Sequence, residues 1–387
     1  MPRHFRNFSL LKNKLLSSLE KKETSKIEEY FAVWNRLLDN LGDDYSVQER
    51  FFRHYYNAFK GELNKPFRKG EEKKKDPLGL VATRSNLIHI YEKLINHDAV
   101  DCLSRIDAAG DIYASLLSRN RDEAVNGLAK PLKDLERIQG APSYMLILYL
   151  LSKRKELKLD DKDLIKIADL LVRFFVRRNL TDKPPTRDLT RLFMDILDKL
   201  PSLKGGEVVF SVSKKLIEVS ADDDLFRNKL GGAIYEENAG ATRFILCALA
   251  ERAMTKETWV DLWRIENRQF LWTIEHIFPQ GDNIPSSWIK MIAKGDTKKA
   301  KEYQQSHVHK LGNLTISGFN STLSNKSFEE KRDRTDREGR AVGYKNGLKL
   351  NEDLAKAQTW SIEQIDKRTA KLVKEAMALF SIHEGGK

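Results

Sequence analysis

Residues 270–280 read FLWTIEHIFPQ and residues 311–319 read LGNLTISGF. These two runs decide the fold, because they interrupt a chain that is otherwise helical in pattern. Both are short and rich in aromatic and branched side chains, which is the signature of strands rather than of an amphipathic helix. Before them, the first 270 residues read as helix after helix. Ile27, Tyr30, Phe31, Trp34, Leu37, Leu38 and Leu41 trace one apolar face, and Leu164, Ile167, Ala168, Leu171, Phe174 and Phe175 trace another. Trp34, Phe51, Phe52, Tyr55 and Tyr56 keep helical spacing, which assigns them to a core and not to a base-stacking surface. Punctuation falls at 61–77, where Lys73, Lys74 and Lys75 read as a solvated loop, at 181–186 with Pro184 and Pro185, and at 204–206.

After the first run, residues 286–306 (SSWIKMIAKGDTKKAKEYQQS) read as a helix between the two strands. Residues 320–334 (NSTLSNKSFEEKRDR) turn helical in their second half, and residues 359–380 close the chain as a last helix. No internal repeat at a solenoid period is found. The expectation is a mainly α chain: a multi-helix platform over residues 1–240, then a small strand–strand–helix domain with flanking helices over residues 241–387.

Composition narrows the chemistry. The chain has 387 residues, more than one ordinary core holds, with 41% hydrophobic and 32% charged residues, as in a soluble globular protein. No stretch approaches the roughly 18 apolar residues of a spanning helix, and the opening MPRHFRNFSLLKNKLL has no signal-type apolar region, so a cytoplasmic protein without a membrane partner is expected. Cys102 and Cys247 are the only cysteines, which excludes a disulfide framework and a thiolate zinc ribbon; any metal site must use oxygen and imidazole ligands. Lysine and arginine outnumber the acids 68 to 56, for a net charge of +12, which favours a polyanionic partner. Gly231 and Gly232 are not followed by a GK[ST] triplet, so they form no phosphate-cradling Walker loop.

Hydrolysis of a phosphodiester needs a base for water, a cation for the crowded transition state, and groups that orient both. Glu275 and His276 are neighbours at the end of the first run, where Pro279 helps to stop the strand. A carboxylate there can meet a metal while the imidazole faces water. Asn313 and Asn320 supply neutral amides, one to hold the histidine or its loop, the other to offer a carbonyl oxygen to a hard cation such as Mg2+. Lys331, Arg332 and Arg334 are suited to phosphate contacts, and Lys298 and Lys299 on the inserted helix can also touch DNA. His307 and His309 make an HxH pair that reads as a turn, with His309 a possible neighbour of the site.

IEHIFPQ, Trp288, HKLGNLTISGFNSTLSNKSFEEKR, and Trp360 with Ile365 and Arg368 together resemble the HNH endonuclease domain at the C-terminus of GmrSD-type modification-dependent restriction enzymes and related phage-defence proteins. The resemblance spans residues 241–380. It implies a ββα-metal fold with His276 as general base, Glu275 as metal ligand and Asn313 as the motif's middle asparagine; the last position falls on Asn320 or Asn325. It implies Mg2+ or Mn2+ as cofactor and DNA as partner. The N-terminal segment resembles, more faintly, the helices that in these proteins follow a ParB-like nucleotide-hydrolysing domain, whose DGQQR-type motif is absent here. Either a separate ParB-like subunit, the expected partner, supplies that module or Met1 starts a truncated form, and the chain alone is expected not to bind GTP or ATP tightly. The alternative to a metal-dependent endonuclease is a helical module that binds nucleic acid or a partner and carries a degenerate nuclease domain.

Overall fold

The structure, a computed structural model, describes residues 3–65, 78, 81–117, 127–318, 323 and 325–383. The lysine run at 73–75 and Asn320 lie outside the described residues. The chain divides into two compact units, Met1–Val172 with Thr186–Glu218, and Arg173–Pro185 with Val219–Lys387. The expected boundary at 240/241 falls within the second unit.

The first unit is built from α1 (Arg3–Lys22), α2 (Ile27–Leu41), α3 (Tyr45–Leu63), α4 (Leu87–His97), α5 (Ala99–Leu116), α6 (Ala129–Arg137), α7 (Tyr144–Ser152), the first half of α8 (Asp161–Thr181), α9 (Leu189–Leu197) and α10 (Gly206–Val219). Local chemistry starts these helices: Asp44 accepts from Ser46 N at 2.8 Å, and Asp98 accepts from the Val100 and Asp101 amides. Leu11, Leu15 and Leu19 recur four apart and are all buried. The α2 face read from the sequence supplies Trp34, Leu37 and Leu41 to the core, and α7, apolar on every side, runs through its middle. Gly110 of α5 lets α2 approach: a Cβ there would lie 2.3 Å from Leu37 Cδ1. The aromatic residues Phe51, Phe52, Tyr55 and Tyr56 are buried as core, with Phe51 edge-on to Phe52 at 5.2 Å.

The second unit contains α11 (Asp223–Gly231), α12 (Ile234–Glu237), α13 (Ala239–Glu251), β1 (Ile265–Glu266), β2 (Gln269–Phe270), β3 (Thr273–His276), α14 (Ser286–Ala293), α15 (Thr297–His307), β4 (Leu314–Ser317), α16 (Phe328–Arg332), α17 (Glu352–Lys356) and α18 (Ile362–Leu379). β1 and β2 form a tight hairpin whose two turn residues, Asn267 and Arg268, both have positive φ, as a two-residue primed turn requires. β3 and β4 pair antiparallel, with Glu275 opposite Thr315 and His276 opposite Leu314.

The segment expected as one helix between the strands is two. α14 ends at Lys294 in the left-handed conformation, Gly295 follows at φ 98°, and Asp296 caps α15 through the Lys299 amide. The helix after β4 stops at Arg332, so Arg334 lies beyond it. The core gathers Ile277, Phe278, Trp288, Phe328, Tyr344, Trp360 and Ile365, with the Phe328 and Trp360 rings stacked at 5.7 Å. The last helix starts at a capping box of Ser361 and Gln364 and packs over the turn at Leu311–Asn313. Gly312 makes this possible, since a Cβ there would lie 2.2 Å from the Ile365 carbonyl. No helix among the described residues is long and apolar enough to cross a membrane.

Candidate active site

β3 ends at His276, and the pairing with β4 continues one step further, where Ile277 N donates to Asn313 O at 2.9 Å. The Asn313 side chain then does for Phe278 what a neighbouring strand would. It accepts from Phe278 N at 2.8 Å and donates to Phe278 O at 3.0 Å, while a second proton reaches Val308 O at 2.9 Å. Trp360 Nε1 donates to the same Asn313 oxygen at 3.3 Å. The amide is fully buried and fully satisfied, so it fixes the chain just after His276 and has nothing left to offer a reactant. Arg368 holds the other side of this turn, donating to Gly312 O and Leu314 O at 2.7 Å and to Leu350 O at 3.1 Å. Burial pushes its guanidinium down to about 10, which leaves it charged at neutral pH.

As strand neighbours must, Glu275 and His276 find different surroundings. Glu275 is buried and takes Lys331 Nζ on Oε1 at 2.7 Å, with the Tyr344 hydroxyl at 3.5 Å. Lys331 was expected to meet phosphate. It is instead completely buried, and its other two protons go to the carbonyls of His276 at 2.9 Å and Ile277 at 3.1 Å. The ammonium is thus a clamp beneath the end of β3. Gly343 brings Tyr344 into place, since a Cβ there would lie 2.1 Å from Lys331 O. Burial raises the Glu275 carboxyl to about 7 against the pull of Lys331, and the same burial lowers Lys331.

His276 is buried on the other side. Its Nε2 lies 3.2 Å from His309 Nδ1, and its ring sits edge-on to Tyr235 at 4.8 Å. Burial, with smaller contributions from His309 and Lys331, pushes the imidazole down to about 3, so it is neutral at physiological pH. A cleft of about 850 Å³ is lined by Tyr235, Arg243, Phe270, Glu275, His276 and Asn325 among others. Phe270 of β2 reaches this lining under Arg243, which lies 3.9 Å over the Phe270 ring and donates to Leu262 O at 2.7 Å.

Residues 219–375 match the family of GmrSD restriction endonucleases, C-terminal domain. The match lies wholly in the second unit, and it covers both strands, the clamp and most of the last helix. No curated protein matches the chain. Within the matched region Lys331 meets Glu275, and Glu275, His276 and Asn325 line one cleft, while Asn313 fixes the chain just after His276. The structure does not bring Arg332 or Lys298 and Lys299 to the cleft wall. Arg332 is committed to Asp333 at 2.5 Å and to Ala357 O at 2.7 Å. Lys298 and Lys299 are exposed at the start of α15, and Arg334 is half-buried. Tyr235 and Arg243 of the domain's helical part reach the cleft without any motif to mark them; His309 carried the only signal, its place in the HxH pair.

Proposed function

We propose that the GmrSD-type domain is a metal-dependent DNA endonuclease of the ββα-metal kind, acting in restriction of foreign DNA. The observation that carries this reading is a buried histidine at the end of β3 that lines a cleft of about 850 Å³, with the chain just after it fixed by Asn313. Neutral imidazole can take a proton from water as the resulting hydroxide adds to phosphorus and the bond from phosphorus to the leaving oxygen breaks, the leaving oxygen then taking a proton from solvent.

The donors on the cleft suit a hard cation. Among the described residues no three His, Cys, Asp or Glu gather as a cage; the lining offers the Glu275 carboxylate and the exposed Asn325 amide, both oxygen donors. Mg2+ or Mn2+, which accept few protein ligands and keep waters, fit such a set better than zinc. Glu275 and Asn325 would hold the cation, which when bound would stabilise charge on the phosphoryl and leaving oxygens. The net charge of +12 and the exposed Lys298 and Lys299 supply attraction for the DNA backbone.

One observation favours a second reading, nucleic-acid binding without cleavage: the Lys331 ammonium already occupies one oxygen of Glu275. Nicking of supercoiled plasmid separates the two. The endonuclease reading expects cleavage with Mg2+ or Mn2+, none in EDTA, and a loss on the order of 10² to 10⁴ in rate in His276→Ala. Full activity in that variant, or DNA binding with no cleavage under any divalent cation, overturns it.

A further inference from the structure

His276 can act as a base only through a nitrogen that carries no proton, and the structure places a partner on one of its two nitrogens. Nε2 lies 3.2 Å from Nδ1 of His309, whereas Nδ1 of His276 has no hydrogen-bond partner among the described residues. Two neutral imidazoles can share this contact in either sense. If His309 donates, His276 carries its own proton on Nδ1 and has no free lone pair. If His276 donates, its Nδ1 is bare and ready.

What lies behind His309 decides between them. Its Nε2 is 3.4 Å from Glu236 Oε1, and a carboxylate there favours a proton on that nitrogen. His309 so protonated presents a bare Nδ1 to His276. Tyr235, from the same turn of chain as Glu236, fixes both rings: it stacks on His309 at 5.4 Å with an interplanar angle of 12° and meets His276 edge-on at 4.8 Å. Its amide also donates to the His309 carbonyl at 3.4 Å, so the backbone carrying His309 is tied to the segment that carries Glu236.

We propose that His309, oriented by Glu236 and stacked on Tyr235, is the positioning residue that accepts a hydrogen bond from the Nε2–H of His276 and so leaves Nδ1 as the basic nitrogen. This rests on the reading of His276 as the base. When His276 takes the proton of water on Nδ1, the ring becomes an imidazolium whose Nε2–H points at His309, and the Glu236 carboxylate beyond it stabilises the added charge. No proton need leave the triad during the step. His309 touches no reactant; its effect reaches the chemistry through the tautomer of another ring.

The test reads the tautomer directly and independently of cleavage. In the ¹⁵N-labelled full chain, imidazole nitrogen shifts are recorded near neutral pH, with the His276 signals assigned by their loss in His276→Gln. The expected result is a protonated Nε2 and a bare Nδ1 in the wild type. His309→Phe, which keeps a ring against Tyr235 but removes the acceptor, should shift His276 toward a mixture of tautomers. It should also lower kcat for plasmid nicking roughly 10- to 100-fold, with little change in KM, the scale of losing an outer partner that orients a reactive ligand. His309→Gln, whose amide oxygen can accept the same hydrogen bond, should restore the tautomer and most of kcat. A His276 protonated on Nδ1 in the wild type overturns the proposal, as does a His309→Phe variant with unchanged tautomer and kcat. If the wild type fails to nick DNA, the endonuclease reading falls, while the nitrogen shifts still decide what His309 does to His276.

Discussion

Replacing Lys331 with methionine isolates what the clamp under β3 contributes. The two side chains are similar in length and volume, so packing against Trp288, whose ring centroid lies 5.9 Å from the ammonium, is largely kept. What is lost is the partner of a buried carboxylate and the donor to two carbonyls. Breaking one side of a buried ion pair costs roughly 3–5 kcal/mol, because the remaining charge is left without compensation. Glu275 can lower that figure. Its carboxyl is already raised to about 7 with the lysine present, and removing the cation raises it further, so near neutral pH the acid takes up a proton and loses its charge. The low end, about 3 kcal/mol, is therefore expected, which for a unit of roughly 150–250 residues is a fall in Tm of about 6–12 °C. Tryptophan fluorescence is the suitable probe: of the chain's six tryptophans, Trp259, Trp263, Trp272, Trp288 and Trp360 all lie in the second unit. Glu275→Gln combined with Lys331→Met should recover much of the loss, since a neutral amide needs no counter-charge. A phosphate contact would behave in the opposite way, with little thermal effect and a salt dependence of DNA binding weakened by about one unit of slope. Melting of Lys331→Met within about 2 °C of the wild type would refute the buried-clamp reasoning.

Gly312→Ala should destabilise the second unit by more than the roughly 1–3 kcal/mol of ordinary overpacking, because the added carbon meets backbone at 2.2 Å and not a flexible side-chain end; a wild-type thermal midpoint would show that α18 does not pack this closely. Asn313→Leu leaves the Phe278 amide and the Phe278 and Val308 carbonyls unpartnered, at about 1–3 kcal/mol for each group. It should lower the melting temperature and nicking together, whereas loss of nicking with full stability would give Asn313 a direct role. Lys298→Ala with Lys299→Ala should leave stability within about 0.5 kcal/mol and reduce the slope of log K against log salt for duplex DNA by up to about 2, as expected if both meet phosphate. An unchanged slope would place the DNA elsewhere.

What could be read in the sequence follows the range over which side chains interact. The stripe across Ile27–Leu41 predicted the burial of Trp34, Leu37 and Leu41 because a helix places residues three and four apart on one face, whatever the rest of the chain does. The existence of β3 and β4 was equally local, and so was Asn313 as a holder of the loop, since it directly precedes β4 and faces the end of β3 through the register. The β1–β2 hairpin escaped because its strands are two residues long, too short for any alternation to register. The break between α14 and α15 had a signal in Gly295 and Asp296, masked by helix-forming residues on both sides.

Lys331 shows where such reading stops. In Phe328–Arg332 the neighbours Glu329 and Glu330 are exposed while Phe328 and Lys331, three apart, face inward together. Nothing in that turn distinguishes a lysine aimed at solvent from one aimed at a carboxylate, because the carboxylate that justifies its burial is Glu275, 56 residues earlier. Tyr235 and Glu236 belong to no motif; Tyr235 meets His276 edge-on, and Glu236 is related to it through His309. Short motifs therefore mark the groups that would meet a reactant, whereas the groups that set the charge and tautomer of those residues are recognised only after folding brings them within about 3.5 Å. In this domain that second set comprises Lys331, His309, Glu236 and Tyr235, and the chemistry proposed for the Glu-His pair of β3 rests on it.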